Sequence, residues 1–315
     1  SRGGHIRNLL ESLREDENIV TILPISRDLL ESPEGNHLLF ATKLGLIKKT
    51  RLEEYVRINR NGKYALRFKL EGDSLVNVRC GTDSSDIVMI SSTGFASRFA
   101  CQKIRSSGRV SAGVYGIKTG HRKGADGGHV VGMIATDNTE TQILTITKNG
   151  MAKRSRLGTA DKIPDLDSEG IQKVDKETGE LKQRTDGYRK TNPGAKGAFT
   201  MNIDQTENDE IIAARHIPNL DDNLFVLTKK GMMIRLHSSQ TKETKSKKSK
   251  GTRIMELRNK DKTGFTDEII FVARLPAELI DDEDDFDAMD TDGDGVVTRE
   301  EFEAAQQMKN LLEEE

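Results

Sequence analysis

The apolar and polar positions of this chain form a pattern that recurs four times. Each copy has a short apolar run, then Ser or Thr, two further residues, a glycine, and a basic residue four positions after that glycine. The copies are FATKLGLIKKTRL (40–52), MISSTGFASRFAC (89–101), TITKNGMAKRSRL (145–157) and VLTKKGMMIRLHS (226–238). Each copy predicts a β-hairpin, because glycine adopts the positive φ of a tight turn at no steric cost.

The shared glycine and basic residue define the register of the repeat. The glycines are Gly45, Gly94, Gly150 and Gly231, and the basic residues are Lys49, Arg98, Arg154 and Arg235. Two interpretations of the basic residues stay open. They contact phosphates on an outer surface, or they pair with acidic residues between the repeated units.

A second motif separates the hairpins: a glycine, an alternating strand, an acidic turn and an aliphatic strand. Its copies span 4–25, 62–78, 113–135, 197–217 and 251–275. A hairpin with its following motif predicts four short strands per unit. The fold class is therefore all-β, a propeller-like array of four-stranded antiparallel blades. The first copy has no hairpin before it, so the chain is expected to start inside a blade. A polar insertion, about 158–187, lengthens the third spacing.

Charge divides the chain into two parts. Residues 278–315 contain 16 acidic and two basic residues. Removing them from the totals of 51 and 49 leaves a net charge of +12 for residues 1–277. A basic body of 1–277 with an acidic tail of 278–315 favours a polyanionic partner. The sequence has no run of 18 apolar residues, which argues against a membrane-spanning helix, and its two cysteines suit a reducing compartment.

The body resembles the C-terminal domain of the A protein of bacterial DNA gyrase, of the type IIA topoisomerase family. The segments that carry the resemblance include LREDENIVTILPI, FATKLGLIKKTRLEEY, SSTGFASRF, IRSSGRVSAGVYGIK and TKNGMAKRS. The resemblance implies a β-pinwheel that wraps duplex DNA to support negative supercoiling. It implies the rest of gyrase A and gyrase B as partners and a bacterial cytoplasmic, nucleoid-associated location.

One feature of that family is missing from the sequence. The gyrase-defining Gln-Arg-Arg-Gly-Gly run does not occur here, so it is expected upstream if the chain is a fragment. The related domain of topoisomerase IV stays open as an alternative. So does a calcium-responsive propeller that binds a protein partner.

Weaker relatives of the missing run occur in four loops that join a hairpin to the next motif. They are YVRINRNGK (55–63), IRSSGRV (104–110), YRKTNPGAKG (188–197) and TKSKKSKG (244–251). Lys and Arg neutralise phosphates, and glycine allows backbone N–H groups to approach them. With the aligned basic positions, the predicted DNA contacts are Lys48, Lys49, Arg57, Arg60, Lys63, Arg98, Arg105, Arg109, Lys153, Arg154, Arg189, Lys190, Lys196, Arg235, Lys245, Lys247, Lys248 and Lys250.

The acidic tail contains a calcium-loop pattern, DTDGDGVVTREE (290–301). The predicted ligands are Asp290, Asp292, Asp294, the carbonyl of Val296, Thr298 and Glu301. Bidentate Glu301 at position 12 favours Ca²⁺ over Mg²⁺. The pattern predicts a small α-helical EF-hand tail with calcium as its cofactor. The hypothesis is that the empty acidic tail competes with DNA for the basic body.

Catalytic signatures are missing from the sequence. The six histidines form no HExxH or His/Cys cluster, and GADGG (124–128) lacks the Lys-Ser/Thr of a P-loop. Nothing places a nucleophile beside a base. The chain is therefore expected to be a non-catalytic region of an ATP-dependent topoisomerase and not an enzyme by itself.

Overall fold

A computed structural model describes residues 17–31, 33–57, 62–119, 128–261, 263–277 and 296–297 of the 315-residue chain. These residues belong to two compact units. The first lies within residues 1–138 and 189–198, and the second within 139–188 and 199–315. Each unit contains two four-stranded antiparallel sheets, here called blades. The all-β fold class is therefore confirmed.

The predicted hairpins are present, and one turn builds all four. The shared glycine has a φ between 86° and 93° in every copy. In the first copy the N–H of Gly45 donates to the carbonyl of Thr42 at 3.1 Å, and the N–H of Leu46 donates to the Thr42 hydroxyl at 3.1 Å. The other three copies repeat both bonds. The Ser/Thr and the glycine thus close the turn together.

The first unit contains the first and second blades. A short helix, α1 (Arg27–Glu31), precedes them, and the Ser26 hydroxyl accepts the N–H of Leu29 at 3.3 Å. The first blade has the strand order β3-β1-β2-β6, and the second has β12-β5-β4-β7. The strands are β1 (Asn36–Thr42), β2 (Leu46–Arg51), β3 (Leu75–Thr82), β4 (Asp86–Ser91), β5 (Phe95–Ala100), β6 (Val114–Tyr115), β7 (Val130–Thr136) and β12 (Ala198–Phe199).

The second unit contains the third and fourth blades and the insertion. The third blade has the order β13-β8-β9-β16, and the fourth has β17-β14-β15-β18. The insertion forms a two-stranded hairpin, β10 with β11. The strands are β8 (Gln142–Thr147), β9 (Met151–Arg156), β10 (Lys162–Pro164), β11 (Gln183–Thr185), β13 (Ile211–Ile217), β14 (Asn223–Thr228), β15 (Met233–His237), β16 (Thr252–Arg253), β17 (Ile269–Leu275) and β18 (Val296–Val297).

Strand exchange between successive blades corrects the predicted grouping. The sequence pattern groups each hairpin with both strands of the motif that follows it. In the structure only the aliphatic strand of that motif joins the hairpin, as β7 joins β4. The first strand of the motif returns to the preceding blade, as β6 pairs with β2. A period in the sequence does not distinguish the two pairings, because it gives the order and spacing of the strands and not their partners.

Two predicted strands are absent. Residues 17–25 and 62–69 form no strand, and Tyr64 and Phe68 are exposed. A strand requires a partner edge for its backbone N–H and C=O groups. In the later copies the first strand of the motif pairs with the preceding hairpin. The copy that starts at Gly62 would therefore need a hairpin before β1, and the described residues contain none.

Both faces of the first blade carry buried side chains, which explains the continuous apolar run of β1. In β1, Leu39 and Ala41 pack in one cluster with Ile47, while Leu38 and Phe40 pack in another. Successive side chains of a strand point to opposite faces, so the two clusters lie on the two sides of the sheet. In the second unit the main cluster includes Leu144, Leu224, Val226 and Val272.

Candidate nucleic-acid interface

Three of the four basic loops attach to the blades in the same way. The N–H of Ser107, in the loop 104–110, donates to the carbonyl of Lys49 at 2.9 Å. In the loops 188–197 and 244–251, Thr191 donates to Arg98 at 2.7 Å and Thr244 to Arg154 at 2.9 Å. Each loop therefore runs beside the aligned basic residue of a preceding hairpin. The described residues of the remaining loop, 55–57 and 62–63, do not make this bond.

Buried side chains next to the aligned residues clamp these loops. The ammonium of Lys153 donates to the carbonyls of Thr200 and Ser246, at 2.7 and 2.8 Å. Lys48 donates in the same manner to the carbonyls of Ala65 and Arg109. Burial lowers the pKa of each lysine to about 8. The two ammonium groups thus hold the backbone of their loops and do not face solvent.

In the second blade Ser97 occupies the position of Lys48 and Lys153, so a hydroxyl replaces the ammonium group. The Ser97 hydroxyl lies 3.3 Å from that of Thr191. Thr191 in turn donates its hydroxyl to the carbonyl of Arg98 at 3.0 Å. The shorter polar side chain of Ser97 therefore helps to fix the loop 188–197 to the second blade.

The aligned basic residues face the residue twelve positions earlier in the chain. Arg98 binds Asp86, with Nε 3.1 Å from Oδ2, and Arg235 donates from Nε to Oδ1 of Asn223 at 2.9 Å. Arg154 donates to the side chain of Gln142 and, at 2.7 Å, to the carbonyl of Thr241. Lys49 has His37 at this spacing, and the Lys49 charge adds to burial in lowering the pKa of His37. The sequence carries this signal as polar residues at 37, 86, 142 and 223.

Burial removes five predicted contacts from the surface. Lys48, Lys49, Arg98, Lys153 and Arg154 are at most 6% exposed. Lys49 contacts Asp83 at 2.5 Å, and this contact is the main cause that lowers the pKa of Asp83. A buried cation with its hydrogen-bonding capacity used inside the protein cannot also bind a phosphate at the surface. For these five residues a structural role replaces the expected DNA contact. Arg235 is half-buried.

The other predicted contacts that the structure describes reach the surface. Lys63, Arg109 and Lys247 are half-buried. The exposed residues are Arg57, Arg105, Arg189, Lys190, Lys196, Lys245, Lys248 and Lys250. Arg60 lies outside the described residues. The basic loops therefore offer solvent-exposed cations, whereas Lys48, Lys49, Arg98, Lys153 and Arg154 of the strands do not.

Several surface cations are oriented by neighbours. Lys190 lies 3.0 Å from Asp86, and Lys250 lies 2.7 Å from Asp204. Lys196 stands 4.3 Å above the ring of Phe95, and Lys247 stands 4.8 Å from the ring of Tyr188. The Lys250–Asp204 pair is accessible to solvent, so it is weak and is screened by salt, whereas the carboxylate that Lys190 contacts is buried. A phosphate can therefore compete for Lys250 at a small cost.

The loop 104–110 bounds an open groove of about 540 Å³. Its lining includes Arg105, Ser106, Ser107 and Gly108. The hydroxyls of Ser107 and Ser111 lie 2.7 Å apart. Short hydroxyl side chains and glycine beside an exposed arginine are the groups that contact a sugar–phosphate backbone.

The predicted calcium site lies almost entirely outside the described residues. Asp290, Asp292, Asp294, Thr298 and Glu301 are all outside, and Val296 is described as part of β18. Elsewhere in the described chain, no group of three His, Cys, Asp or Glu residues could hold a metal ion. The described residues also contain no helix that is long and apolar enough to cross a membrane.

A family model matches the repeated part of the chain. The family is described as the DNA gyrase C-terminal domain, a β-propeller, and the matched residues are 36–81, 85–137, 141–164 and 222–263. The four matches contain the four hairpins. Together they cover just over half of the chain.

Relatives align over most of the chain. The gyrase A protein of Staphylococcus epidermidis is 32% identical over 258 residues, which cover 82% of this chain and 24% of the relative. The gyrase A protein of Deinococcus deserti is 28% identical over 262 residues, covering 83% of this chain and 28% of the relative. The chain thus spans about a quarter of the length of these curated relatives.

Two solved structures share the fold. The C-terminal domain of DNA topoisomerase IV matches with a TM-score of 0.66 and 19% identity, covering 88% of this chain and 71% of that one. The C-terminal domain of DNA gyrase A matches with a TM-score of 0.62 and 18% identity, covering 87% and 76%. Both likenesses concern the fold.

Proposed function

Because the chain belongs to the DNA gyrase C-terminal domain family, we propose that it binds and wraps duplex DNA as part of a gyrase A-type protein. The observation that carries this proposal is the repeated attachment of basic loops to the aligned strand residues. Each of these loops brings exposed Lys or Arg to the surface on a backbone fixed by buried hydrogen bonds. Cations held in this way bind phosphate with a small loss of conformational entropy.

The groups on these loops suit contact with the DNA backbone. The exposed side chains are Lys and Arg, which neutralise phosphates without reading sequence. The described residues contain one α-helix, the five-residue α1, which is too short to enter a major groove and read bases. Binding is therefore weakly selective for sequence and is favoured where DNA bends easily.

In the complete enzyme this region supports the reaction without catalysing it. We assign strand cleavage and ATP hydrolysis to the rest of gyrase A and to gyrase B, with this domain holding the DNA segment that favours negative supercoiling. The site of action is then the bacterial cytoplasm, at the nucleoid.

The acidic tail adds calcium to the proposal. We assign Ca²⁺ to the loop 290–301, whose residue types match every ligand position of an EF-hand. Without calcium, the carboxylates of 281–301 compete with DNA for the basic loops. Calcium neutralises part of that charge and so favours DNA binding.

Wrapping is tested by the linking number of closed circular DNA. Relaxed plasmid is bound by the chain, treated with a type I topoisomerase and freed of protein. Wrapping constrains writhe, so the linking number shifts in proportion to the protein added. Binding without a shift would contradict wrapping while leaving DNA binding intact.

The tail is tested by duplex affinity with and without Ca²⁺. The intact chain is compared with a version that ends at Ala277. We expect calcium to tighten binding by the intact chain and to leave the shortened chain unchanged. Equal affinities in all four measurements would contradict the competition.

A further inference from the structure

The polar insertion, 158–187, is joined to the third blade by a close crossing of its two ends. The N–H of Tyr188 donates to the carbonyl of Leu157 at 2.8 Å, so the residues on either side of the insertion are bonded to each other. At the crossing, a Cβ on Gly158 would lie 2.6 Å from the backbone nitrogen of Gly187. Both glycines have a positive φ, +70° and +61°. The base of the insertion therefore has a fixed position beside the blade.

The basic loop 244–251 contacts the base of the insertion. The ammonium of Lys247 donates to the carbonyl of Gly187, which is 60 residues earlier in the chain, and it stands 4.8 Å from the ring of Tyr188. Lys153 holds the same loop through the carbonyl of Ser246, at 2.8 Å. The loop and the base of the insertion are thus fixed side by side.

A cavity of about 100 Å³ lies between the loop and the base of the insertion. Four cations are among the residues that line it: Arg156 at the end of β9, Arg184 of the insertion, and Lys245 and Lys247 of the loop. The first three are exposed to solvent. One water molecule needs roughly 15 Å³ of such space, so a phosphate group can enter this cavity.

Two of these cations have no ion-pair partner in the described part of the chain. The guanidinium of Arg156 lies 2.7 Å from Glu140, and Lys247 holds the backbone of the insertion. Arg184 and Lys245 form no ion pair with any described residue. Their charges are therefore available to an anion in the cavity.

The cations of the lining outnumber its two acidic residues, Asp186 and Glu243. A hydrogen bond from the backbone of Thr159 is the largest cause that lowers the pKa of Asp186, and the charges of Arg156 and Arg184 contribute. Both arginines thus act on the same small region. An anion that enters it meets a net positive charge.

The rest of the insertion does not favour DNA. Residues 158–187 contain eight acidic and five basic residues. Lys173 lies 3.1 Å from Asp165, and Lys182 lies 3.2 Å from Asp175. The acidic excess repels phosphates, so a contact with DNA is expected at the base of the insertion alone.

We propose that this cavity binds a phosphate of the DNA backbone, and that the base of the insertion extends the DNA-binding surface beyond the loop 244–251. The proposal rests on the proposed DNA binding. It goes beyond it because it gives a role to a segment outside the basic loops and identifies Arg184 as a contact. The planar guanidinium of Arg184 can donate to two phosphate oxygens at once, while Lys245 supplies a second charge.

The salt dependence of duplex affinity tests the proposal in Arg184→Ala. Loss of one phosphate contact should make the slope of log K against log salt shallower by about 0.9. Arg184→Lys keeps the charge and should keep the slope. Lys176→Ala is the matched control, because it removes an exposed cation of the same insertion that does not line the cavity. Urea denaturation should give equal stability for all these variants, since both side chains are exposed.

The outcomes separate this proposal from the proposed function. If the intact chain binds DNA in a salt-dependent way and Arg184→Ala keeps its slope, the contact at the insertion is overturned and DNA binding stands. Equal changes in Arg184→Ala and Lys176→Ala would indicate a general effect of net charge and would also overturn the contact. If salt does not change the affinity of the intact chain, the proposed function and this proposal both fail.

The NMR signal of the Arg184 Nε–H distinguishes DNA from a small anion. A duplex should shift this signal at low salt. A shift with inorganic phosphate and none with the duplex would assign the cavity to a free anion and overturn the DNA contact.

Discussion

Arg98 and Asp86 form an ion pair in the interior of the second blade. The guanidinium reaches Oδ2 of the carboxylate through Nε at 3.1 Å and through a terminal nitrogen at 2.5 Å, and both side chains are buried. They lie on the adjacent strands β5 and β4, twelve residues apart, and Lys190 approaches the same carboxylate from the loop 188–197. The pair therefore connects the blade to a loop that we propose to bind DNA.

Replacing Arg98 with methionine leaves the buried Asp86 carboxylate with the exposed Lys190 as its cation partner. Removing one partner of a buried pair costs about 3 kcal/mol. We expect Arg98→Met to lower the free energy of unfolding by that order, measured by urea denaturation. Arg105→Met is the control, because Arg105 is exposed and its loss should change stability by less than about 0.5 kcal/mol. Equal stability of the two variants would show that the pair is not structural.

Gly251 precedes the outer strand β16 of the third blade, and its backbone lies in close contact with the neighbouring strand β9. Its φ is +81°, and a Cβ there would lie 2.3 Å from the carbonyl oxygen of Ala152. We expect Gly251→Ala to destabilise the chain by about 1–3 kcal/mol or more, because backbone strain and overlap act together. Faster amide exchange at Ala152 reports detachment of β16. Gly264→Ala is the matched control, since no atom lies within 4 Å of its added methyl group; a similar loss there would contradict the role of close contact at Gly251.

The buried lysines Lys48 and Lys153 should make the folded chain more stable at alkaline pH. The folded pKa of Lys48 and of Lys153 is about 8, below the ordinary 10.5, so the unfolded chain holds more protons between these values. Stability then increases with pH across that window, by at most about 3 kcal/mol for each lysine. Below pH 8 both states are protonated and the gain is absent. The double variant Lys48→Met with Lys153→Met should lack this rise.

Urea denaturation of both chains from pH 7 to 10.5 measures the difference. The intact chain should gain stability relative to the double variant as the pH rises. Parallel profiles would contradict the lowered pKa values. NMR titration of the two Lys Cε signals gives the pKa values independently of folding.

The hairpins could be predicted from sequence because their determinants are local. Thr42 and Gly45, three residues apart, make the bonds of one turn, and the same spacing recurs at the other three copies. The strand exchange could not be predicted, because the repeat gives the order of the strands and not which neighbouring hairpin β6 pairs with. Residues 62–69 resemble a strand in pattern, and the edge that they would need is absent from the described chain.

The candidate site was predicted in part. The exposed lysines at 245 and 248 follow from the composition of their loop. For the aligned basic residues the sequence left phosphate contact and internal pairing open, and Lys49, Arg98 and Arg154 are buried. The sequence did not decide between the two because a basic residue in a short strand is usually exposed. The polar residue twelve positions earlier, such as Asp86 before Arg98, is the sequence signal for pairing of the cation inside the blade.

The central claim is that cations on the anchored loops bind the DNA backbone, and the salt dependence of duplex affinity tests it most directly. The double variant Lys245→Ala with Lys248→Ala removes two exposed charges from the loop 244–251. As a control, Lys162→Ala with Lys176→Ala removes two exposed charges from the insertion. Each lost phosphate contact makes the slope of log K against log salt shallower by about 0.9. We predict a slope shallower by about 2 for the loop variant and an unchanged slope for the insertion variant. Identical slopes in both variants, or an affinity that salt does not change, would contradict the claim.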